Sequence, residues 1–313
     1  MEISESYLYF PGCTIPCREN NYEVSARAVA RVLGIDLQIL EGYSCCGASI
    51  EAVDKLASFL LGARNLALTE EQRQKEIFKE GKALSTVNFT DFDTCLVTLC
   101  NGCYRELSIV NGILKSDFEM LKKVNSALSK IGKKYRGTVV IKHFLEVLLS
   151  EKYAEKLRSK IVRRFEGLKV ATQVGCHATS PREFVNFDDY EAPKRLDGVL
   201  EMTGAEAVDY LDRNKCCGAP LLTVSEKTAL ALARYKLFNM KDAGAQLVVT
   251  MCPFCQIMLD AMQERIEEEF GGKYELPVLY ITQFLGLSFG LDPGELDMKN
   301  NKVPWEEVLA PFL

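Results

Sequence analysis

The sequence predicts two similar α/β domains, each built on a small parallel sheet flanked by helices. Two observations support this fold class: a cysteine pattern occurs twice in the same order, and short apolar runs alternate with amphipathic stretches in both halves. The chain has 313 residues, 48% of them hydrophobic, which is enough for two buried cores. We expect the first domain to span residues 1–160 and the second to span residues 161–313.

The predicted strands are short apolar or β-branched runs that occur at matching places in the two halves. In the first half they are Leu8–Phe10, Leu37–Leu40, Leu96–Leu99 and Val139–Ile141. In the second half they are Val170–Val174, Ala207–Leu211, Leu247–Met251 and Val278–Ile281. Amphipathic stretches such as Glu23–Leu33 and Ala48–Leu68 predict helices between them. This alternation is typical of βαβ units.

Ten of the twelve cysteines belong to the repeated pattern. Each half contains G-C, then C-C-G, then C-x-x-C. The first cysteine set consists of Cys13, Cys45, Cys46, Cys100 and Cys103. The second cysteine set consists of Cys176, Cys216, Cys217, Cys252 and Cys255. The letters before each C-x-x-C also match, V-T-L-C in one half and V-T-M-C in the other, and the halves therefore look like duplicated domains.

The cysteines fall where this fold binds ligands. Cys13, Cys100, Cys176 and Cys252 each follow a predicted strand and precede a helix. The carboxyl ends of parallel strands share one edge of the sheet, and open α/β folds place their sites at that edge. Helix N-termini there also favour thiolate over thiol. The repeat therefore predicts one thiolate-rich site in each domain.

Composition excludes several classes of function. The net charge is −5 and the basic residues are dispersed, so no nucleic-acid partner is expected. The most apolar run, Leu276–Phe289, is shorter than the ~20 residues that a membrane-spanning helix needs, and no segment has a signal-peptide layout. We expect a cytoplasmic protein, in which twelve cysteines would serve metal or redox chemistry rather than structural disulfides.

Three chemistries compete for these thiols. Structural zinc uses four ligands, whereas each half supplies five cysteines, two of them adjacent. A thioredoxin-like dithiol would explain C-P-F-C at Cys252–Cys255, but it leaves the other three cysteines of that set unused. Iron and sulfide fit better, since soft thiolates select iron–sulfur clusters. The ferredoxin run C-x2-C-x2-C-x3-C-P is absent, so any cluster would be held by residues distant in sequence.

The duplicated pattern resembles the cysteine-rich CCG domain, and the whole chain resembles the HdrB family, the B subunits of heterodisulfide reductase. The stretches that carry this resemblance beyond the cysteines are V-T-L-C-N-G-C-Y-R-E-L at 97–107, F-D-D-Y-E-A-P-K-R-L-D at 187–197, K-C-C-G at 215–218, C-P-F-C-Q-I-M-L-D at 252–260 and L-Y-I-T-Q-F-L-G-L-S-F-G-L-D-P at 279–293. The resemblance covers nearly the entire length.

The resemblance implies a cofactor, a reaction and partners. Each cysteine set would ligate one noncubane [4Fe-4S] cluster, and the two clusters would face each other across the substrate site. The reaction would be reductive cleavage of a disulfide, in methanogens the one that joins coenzyme M and coenzyme B. Electrons would come from an HdrA-like flavin subunit, with a hydrogenase or formate dehydrogenase module behind it, through an HdrC-like subunit with ordinary [4Fe-4S] clusters. No G-x-G-x-x-G flavin fingerprint follows a strand in this chain.

Two rival functions stay open. One is a CCG-domain subunit of another oxidoreductase, such as a sulfur-oxidising Hdr-like complex or a lactate, glycolate, succinate or fumarate system. The other is a non-catalytic electron relay or a zinc-stabilised adaptor. Iron and sulfide content would separate the second rival from the rest.

A few residues fall outside the repeat. His177 follows Cys176 and is a candidate proton donor to a departing thiolate, or a residue that hydrogen-bonds to a cluster ligand. His143, aligned here with Gln283, is interpreted as structural, and Cys17 and Cys95 are not expected to bind iron. The first half also has an insertion, because Cys46 and Cys100 are 54 positions apart whereas Cys217 and Cys252 are 35 apart. We place the 19 extra residues within Thr69–Asp93. We interpret this charged segment as a solvated helix rather than as a partner-docking element.

Overall fold

Two four-stranded parallel sheets form the framework of the computed structural model, which describes residues 5–79 and 94–313. The first sheet contains β1 (Glu5–Phe10), β2 (Ile35–Ile39), β3 (Cys95–Thr98) and β4 (Val140–His143). The second contains β5 (Lys169–Gln173), β6 (Glu206–Val208), β7 (Leu247–Thr250) and β8 (Val278–Tyr280). All eight predicted strands are confirmed, with ends that differ by a few residues.

Helices connect and flank the strands. In the first half they are α1 (Thr14–Arg18), α2 (Asn20–Val32), α3 (Lys55–Lys79), α4 (Asn101–Ser116), α5 (Phe118–Ser129), α6 (Phe144–Leu148) and α7 (Glu151–Lys160). In the second half they are α8 (Arg195–Met202), α9 (Glu226–Asp242), α10 (Pro253–Gln256), α11 (Gln263–Phe270), α12 (Ile281–Ser288) and α13 (Glu306–Leu309). A π-helical turn over Ile257–Ala261 joins α10 to α11.

The two sheets have the same topology. Their strand orders are β2-β1-β3-β4 and β6-β5-β7-β8, and every pair is parallel. In each sheet the chain steps to one side of its first strand and then returns to the other side. This reversal opens a crevice at the carboxyl ends of β1 and β3, and of β5 and β7, where such folds bind ligands. The predicted fold class, two pseudo-symmetric α/β repeats, is confirmed.

The core is continuous between the two halves. Helix α2 buries Tyr22, Ala26 and Val29 on one face, as the predicted amphipathic stretch requires. Its Ser25 hydroxyl lies 2.6 Å from the hydroxyl of Thr282 in α12 of the other half. Strands β3 and β7 are buried along their whole length, because helices cover both sheet faces. The expected division at residue 160 falls between α7 and β5, and it stays a prediction.

The second predicted helix of the first half begins later than expected. Residues Ala48–Ile50 form a short 3-10 turn, and α3 begins at Lys55. The Asp54 carboxylate accepts a hydrogen bond from the Ala57 backbone N–H at 2.9 Å, which caps the helix at this point. The prediction that Ala48–Leu68 is one helix is therefore wrong at its N-terminal end.

The extra residues of the first half lengthen α3, which has 25 residues against 17 in its counterpart α9. The charged helix predicted within Thr69–Asp93 is confirmed as far as Lys79, and residues 80–93 lie outside the described part of the chain. The helix is not solvated all round, because the carboxylate of Glu70 is buried and accepts hydrogen bonds from the backbone N–H groups of Arg136 and Thr138.

Candidate functional site

Every cysteine of the two sets lies beyond the carboxyl end of a strand. Cys13 follows β1 and Cys100 follows β3, on either side of the crevice in the first sheet. Cys100 is the N-cap residue of α4, and Cys252 is the N-cap residue of α10 at the corresponding place in the second sheet. The backbone N–H of each donates to a threonine hydroxyl two residues earlier, at 3.3 Å in both halves. The turn that presents the C-x-x-C motif is therefore the same in both repeats.

The five thiols of the first cysteine set form a connected chain. The Sγ atoms of Cys13 and Cys45 lie 3.9 Å apart. Cys45 contacts Cys46, Cys46 contacts Cys103, and Cys103 contacts Cys100 through their side chains. Residues that are distant in sequence thus meet at one edge of the sheet.

The second cysteine set forms the same chain in the same order. Its contacts run through Cys176, Cys216, Cys217, Cys255 and Cys252. All twelve cysteines of the protein are free thiols. The structure therefore brings together the ten residues that the sequence pattern groups, five in each half.

A left-handed glycine shapes the C-C-G loop of each repeat. Gly47 and Gly218 have φ of 105° and 92°, a conformation that favours glycine. Their backbone N–H groups donate to the Sγ atoms of Cys45 at 3.4 Å and Cys216 at 3.3 Å. A Cβ atom at either position would lie 2.4 or 2.5 Å from a backbone carbonyl oxygen, of Ser58 or Ala229. These glycines let the loop close on the helix behind it while pointing an N–H at sulfur.

One thiol in each set is strongly favoured as thiolate. Hydrogen bonds from Cys13 and Cys46 hold the pKa of Cys45 far below its usual range. Hydrogen bonds from Cys176 and Cys217, together with the Gly218 N–H, lower the pKa of Cys216 to about 2. The repeats thus share their electrostatics as well as their geometry at this point, and a thiolate is the form that binds metal.

The two cysteine sets adjoin each other. Asn101, between the two cysteines of the first C-x-x-C, donates from its side chain to the carbonyl of Val174 at 2.6 Å. Its backbone N–H also reaches the Cys252 thiol and helps to lower the pKa of that cysteine, after the larger effect of Cys255. A Cβ atom on Gly102 would lie 3.7 Å from Cys100 Sγ and 3.8 Å from His177 Nδ1. Residues of the first repeat therefore touch the second set directly.

His177 lies where the two sets adjoin. Burial lowers its pKa, and the Arg105 guanidinium of the first repeat lowers it further. The imidazole Nδ1 lies beside Gly102 of the first C-x-x-C, while His177 itself follows Cys176 of the second set. Its role as a proton donor stays a prediction.

His143 is fully buried in contact with the Leu99 carbonyl, at 2.9 Å from Nε2. Strand register pairs Thr98 with His143 and Thr250 with Tyr280, so its counterpart is Tyr280 and the alignment with Gln283 is wrong. Cys17 is exposed and Cys95 is buried at the start of β3, and neither contributes to the thiol chains above.

The donor chemistry of the two sets suits iron and sulfide, since each supplies five soft thiol ligands. Between residues 5 and 79 and between residues 94 and 313, no three His, Cys, Asp or Glu side chains are arranged to hold a single metal ion. A [4Fe-4S] cluster is an extended body whose thiolates attach to different irons, so its ligands need not converge on one atom.

Sequence reasoning missed two charged residues near the sets. Lys236 is 1% exposed and Glu106 is 4% exposed, each on the buried face of a helix that flanks a cysteine set. The available signal was the helical period, because each occupies an apolar position of α9 or α4 where a charged residue is rare.

Two parallel sheets that each gather five thiols at the carboxyl edge define a duplicated cysteine-rich protein of the iron–sulfur type. Comparison with known families agrees: the cysteine-rich CCG domain matches residues 7–108 and 170–260. The chain belongs to the CCG cysteine-rich domain family.

Relatives match over nearly the whole chain. The B subunit of the ferredoxin/F420H2-dependent CoB-CoM heterodisulfide reductase of Methanosarcina acetivorans is 36% identical over 96% of this chain and 95% of its own length. The B subunit of the ferredoxin:CoB-CoM heterodisulfide reductase of Methanosarcina mazei is 35% identical with the same coverage. The 8-methylmenaquinol:fumarate reductase membrane anchor subunit of Wolinella succinogenes is 30% identical over 96% of this chain and 98% of its own length. The resemblance to the HdrB family is confirmed.

A solved structure shares the fold. A hypothetical protein from Helicobacter pylori superposes with a TM-score of 0.70 at 14% identity, covering 96% of this chain and 52% of that one. This chain thus spans about half the length of that protein. Within the described residues, no helix combines the length and apolar character needed to cross a bilayer.

Proposed function

We propose that this chain is the catalytic iron–sulfur subunit of a heterodisulfide reductase complex. Its two cysteine sets would each hold one noncubane [4Fe-4S] cluster, with Cys13, Cys45, Cys46, Cys100 and Cys103 at the first and Cys176, Cys216, Cys217, Cys252 and Cys255 at the second. The observation that carries the proposal is the pair of adjoining five-thiol chains in the same order. Relatives named as B subunits of heterodisulfide reductases support it.

The proposed reaction is the two-electron cleavage of a disulfide, with the CoB-CoM heterodisulfide as the substrate that the relatives' names suggest. The S–S bond breaks, two electrons and two protons are taken up, and two thiols leave. When bound, the two clusters would supply the electrons, one from each side of the bond.

The protein's own residues define where the disulfide would lie. Cys13 is exposed, and Phe254, the counterpart of Gly102 in the second C-x-x-C, is 38% exposed. Gly102 is buried where the two sets adjoin. A Cβ added to it would lie 3.7 Å from both Cys100 Sγ and the Phe254 ring and 3.8 Å from His177 Nδ1. In this proposal a small disulfide would bind where the two sets adjoin, and His177 would give a proton to one of the departing sulfurs.

The electrons must come from other subunits in this proposal. We expect an HdrC-like partner with [4Fe-4S] clusters and an HdrA-like flavin subunit, with a hydrogenase or formate dehydrogenase module as the original donor. A cytoplasmic location is part of the same proposal.

A second candidate is a subunit of a fumarate reductase complex. The relative from Wolinella succinogenes, named as the membrane anchor subunit of 8-methylmenaquinol:fumarate reductase, supports it over nearly full length. In that setting the same cysteine sets would carry electrons to or from a quinol, and fumarate would be reduced on another subunit.

The deciding experiment uses the complex purified anaerobically through a tag on this chain. Oxidation of a reduced viologen dye is followed after adding the CoB-CoM heterodisulfide or fumarate, and free thiols are counted. Heterodisulfide-dependent oxidation with two thiols per two electrons supports the proposal. Oxidation by fumarate alone supports the second candidate and overturns the first.

A further inference from the structure

We propose that the two cysteine sets lie in unequal electrostatic surroundings, and that buried Lys236 makes the second cluster the more easily reduced of the two. This inference rests on the proposed function, since it concerns the clusters that the sets would hold. The inference predicts the order of reduction: the first electron would reduce the cluster of the second set.

The duplication provides an internal comparison position by position. The added Cβ at Gly47 would meet the Ser58 carbonyl, and at Gly218 it would meet the Ala229 carbonyl. Ser58 and Ala229 therefore correspond. Seven residues further along the same two helices, Asn65 corresponds to Lys236.

Asn65 and Lys236 both hydrogen-bond to the backbone close to the C-C-G motif of their repeat, but only Lys236 is charged. Asn65 is fully buried and bonds the C-C-G loop of its repeat, donating to the Cys45 carbonyl at 3.1 Å and accepting from the Ser44 N–H at 3.0 Å. Lys236 is equally buried, and its Nζ donates to the carbonyls of Asp212 at 3.0 Å and Arg213 at 3.2 Å, just before Cys216. In the first repeat the charge at this loop is that of Arg64, which is only partly buried and donates to the Gly42 carbonyl at 3.0 Å, whereas the Lys236 charge is fully buried.

Within residues 5–79 and 94–313, the Lys236 ammonium has no carboxylate partner. No acidic side chain of the described residues forms an ion pair with it, whereas nearby Arg213 is paired with Asp197 at 2.6 Å. Buried charges in proteins are normally paired, because burial without a partner is costly. Burial lowers the pKa of Lys236 to about 8, and negative charge on Cys255 or Cys217 of the second set would act in the opposite direction. An anionic cluster on the second set would be the missing partner.

A second pair of corresponding positions carries a negative charge in the first repeat and no charge in the second. Glu106, three residues after Cys103, is buried and accepts a hydrogen bond from the Ser58 hydroxyl at 2.9 Å. Its counterpart three residues after Cys255 is the neutral Met258. Arg105 lies 3.6 Å from Glu106 but also 3.0 Å from Glu51, so this group of three keeps one negative charge in excess. Burial raises the pKa of Glu106, and the charges of Glu51 and Cys45 raise it further.

A third difference between the two sets would also raise the reduction potential of the second cluster relative to the first. The Gln173 side-chain N–H lies 3.7 Å from Cys255 Sγ and can donate to it. The side-chain oxygen of Gln173 accepts a hydrogen bond from the Tyr210 hydroxyl. The Tyr210 ring in turn lies 5.5 Å from Lys236 Nζ. Gln173 pairs with Thr250 as Phe10 pairs with Thr98, so the first set has an apolar ring at this position. Hydrogen bonds to sulfur and nearby positive charge both raise a cluster's reduction potential.

The test measures the reduction potential of each cluster by EPR-monitored titration of the anaerobically purified full chain. Signals are assigned by their loss in Cys46→Ser and Cys217→Ser. Lys236→Met should lower the potential of the second cluster, so that at fixed potential the ratio of reduced to oxidised cluster falls at least tenfold, which is about 59 mV for one electron. Lys236→Arg should retain most of the potential. Lys227→Met is the matched control, since Lys227 is an exposed lysine of the same helix paired with Glu269.

A second variant keeps the inference falsifiable if Lys236→Met does not assemble its cluster. Glu106→Gln retains an acceptor for Ser58 and should raise the potential of the first cluster while leaving the second unchanged. The inference is overturned if both clusters assemble and neither variant changes its cluster's reduction potential. It is also overturned if Lys227→Met changes the potential of the second cluster as much as Lys236→Met does. A wild-type chain without iron and sulfide overturns the proposed function itself, together with the inference that rests on it.

Discussion

The two repeats hold their cysteines in the same way and surround them differently. The threonine hydroxyl behind each C-x-x-C, the left-handed glycine of each C-C-G and the order of thiol contacts all occur twice. The buried charges and polar side chains next to the thiols, Lys236, Glu106 and Gln173, occur once. Residues that fix the positions of sulfur atoms are thus common to the two halves, while residues that set the local potential differ. The duplication supplies two sites, and their neighbours make them unequal.

The largest effect is expected from removing one thiol of a set. Cys217→Ser should abolish the signal of the second cluster and disulfide turnover, while the first cluster still forms, because each set is a separate chain of contacts. Iron content and EPR of the purified variant measure this. Cys17→Ser is the control, since Cys17 is exposed and outside both sets. Loss of both signals in a folded Cys217→Ser protein would show that the sites are not independent.

A buried ion pair distinguishes the second repeat from the first. Arg213 and Asp197 are 8% and 7% exposed, whereas Arg27 and Glu23 beside β1 are 37% and 14% exposed. Asp197→Asn should lower the free energy of unfolding by about 3 kcal/mol, since it leaves the buried guanidinium with only the exposed carboxylate of Asp209, 3.4 Å away. Glu23→Gln should cost less than about 1 kcal/mol. Urea unfolding of both variants tests the contrast, and equal losses would contradict it.

The shared glycines should respond alike. Gly218→Ala and Gly47→Ala should each lower the free energy of unfolding by about 3 kcal/mol, because the new Cβ meets a backbone carbonyl and the left-handed conformation is strained. Gly244→Ala is the matched control: its φ is also positive, but no atom lies within 4 Å of the added Cβ, so about 1 kcal/mol is expected. A loss at Gly244 as large as at Gly218 would argue against the close approach.

The last prediction concerns pH and a contact between the repeats. Tyr280 of β8 donates to the Glu19 carboxylate at 2.7 Å, and burial raises the Glu19 pKa to about 7 from 4.5. The folded state therefore holds this proton more tightly than the unfolded state, and the free energy of unfolding should fall as pH rises from about 4.5 to about 7.

Glu19→Gln keeps a hydrogen-bond acceptor for Tyr280 and should reduce the fall in the free energy of unfolding between about pH 4.5 and about pH 7. Nearby Asp260, whose pKa burial raises to about 6, adds a further fall in both proteins, and its charge is one of the effects that raise the Glu19 pKa. Urea midpoints at several pH values give the comparison. A Glu19→Gln protein with the full wild-type slope would contradict the assignment.

Much of the fold could be predicted from the sequence, for a physical reason. Buried parallel strands are short and almost wholly apolar, so runs such as Leu96–Leu99 stand out, and duplication supplies each of them twice. The thiol sets could also be grouped, because strand ends share one sheet edge. Helix starts are harder to predict: α3 begins at Lys55 rather than Ala48, because Asp54 caps it and the preceding turn is 3-10.

The neighbours of the thiols lie beyond sequence reasoning. Asn101 has the position of an ordinary C-x-x-C spacer, and its bond to Val174 depends on how the two repeats pack. His143 and Gln283 both lie near a helix start, which favours aligning them, while strand register places Tyr280 opposite His143. Lys236 is detectable as a charge on an apolar helix face, but its proximity to the second set depends on the tertiary structure.

The most direct test of the central claim is the metal and sulfide content of the anaerobically purified chain. Ten thiols in two adjoining sets of five predict iron and acid-labile sulfide in the proportion of two [4Fe-4S] clusters per chain, with two separable EPR signals. Zinc without sulfide, or the iron of a single cluster shared by both sets, would contradict the account.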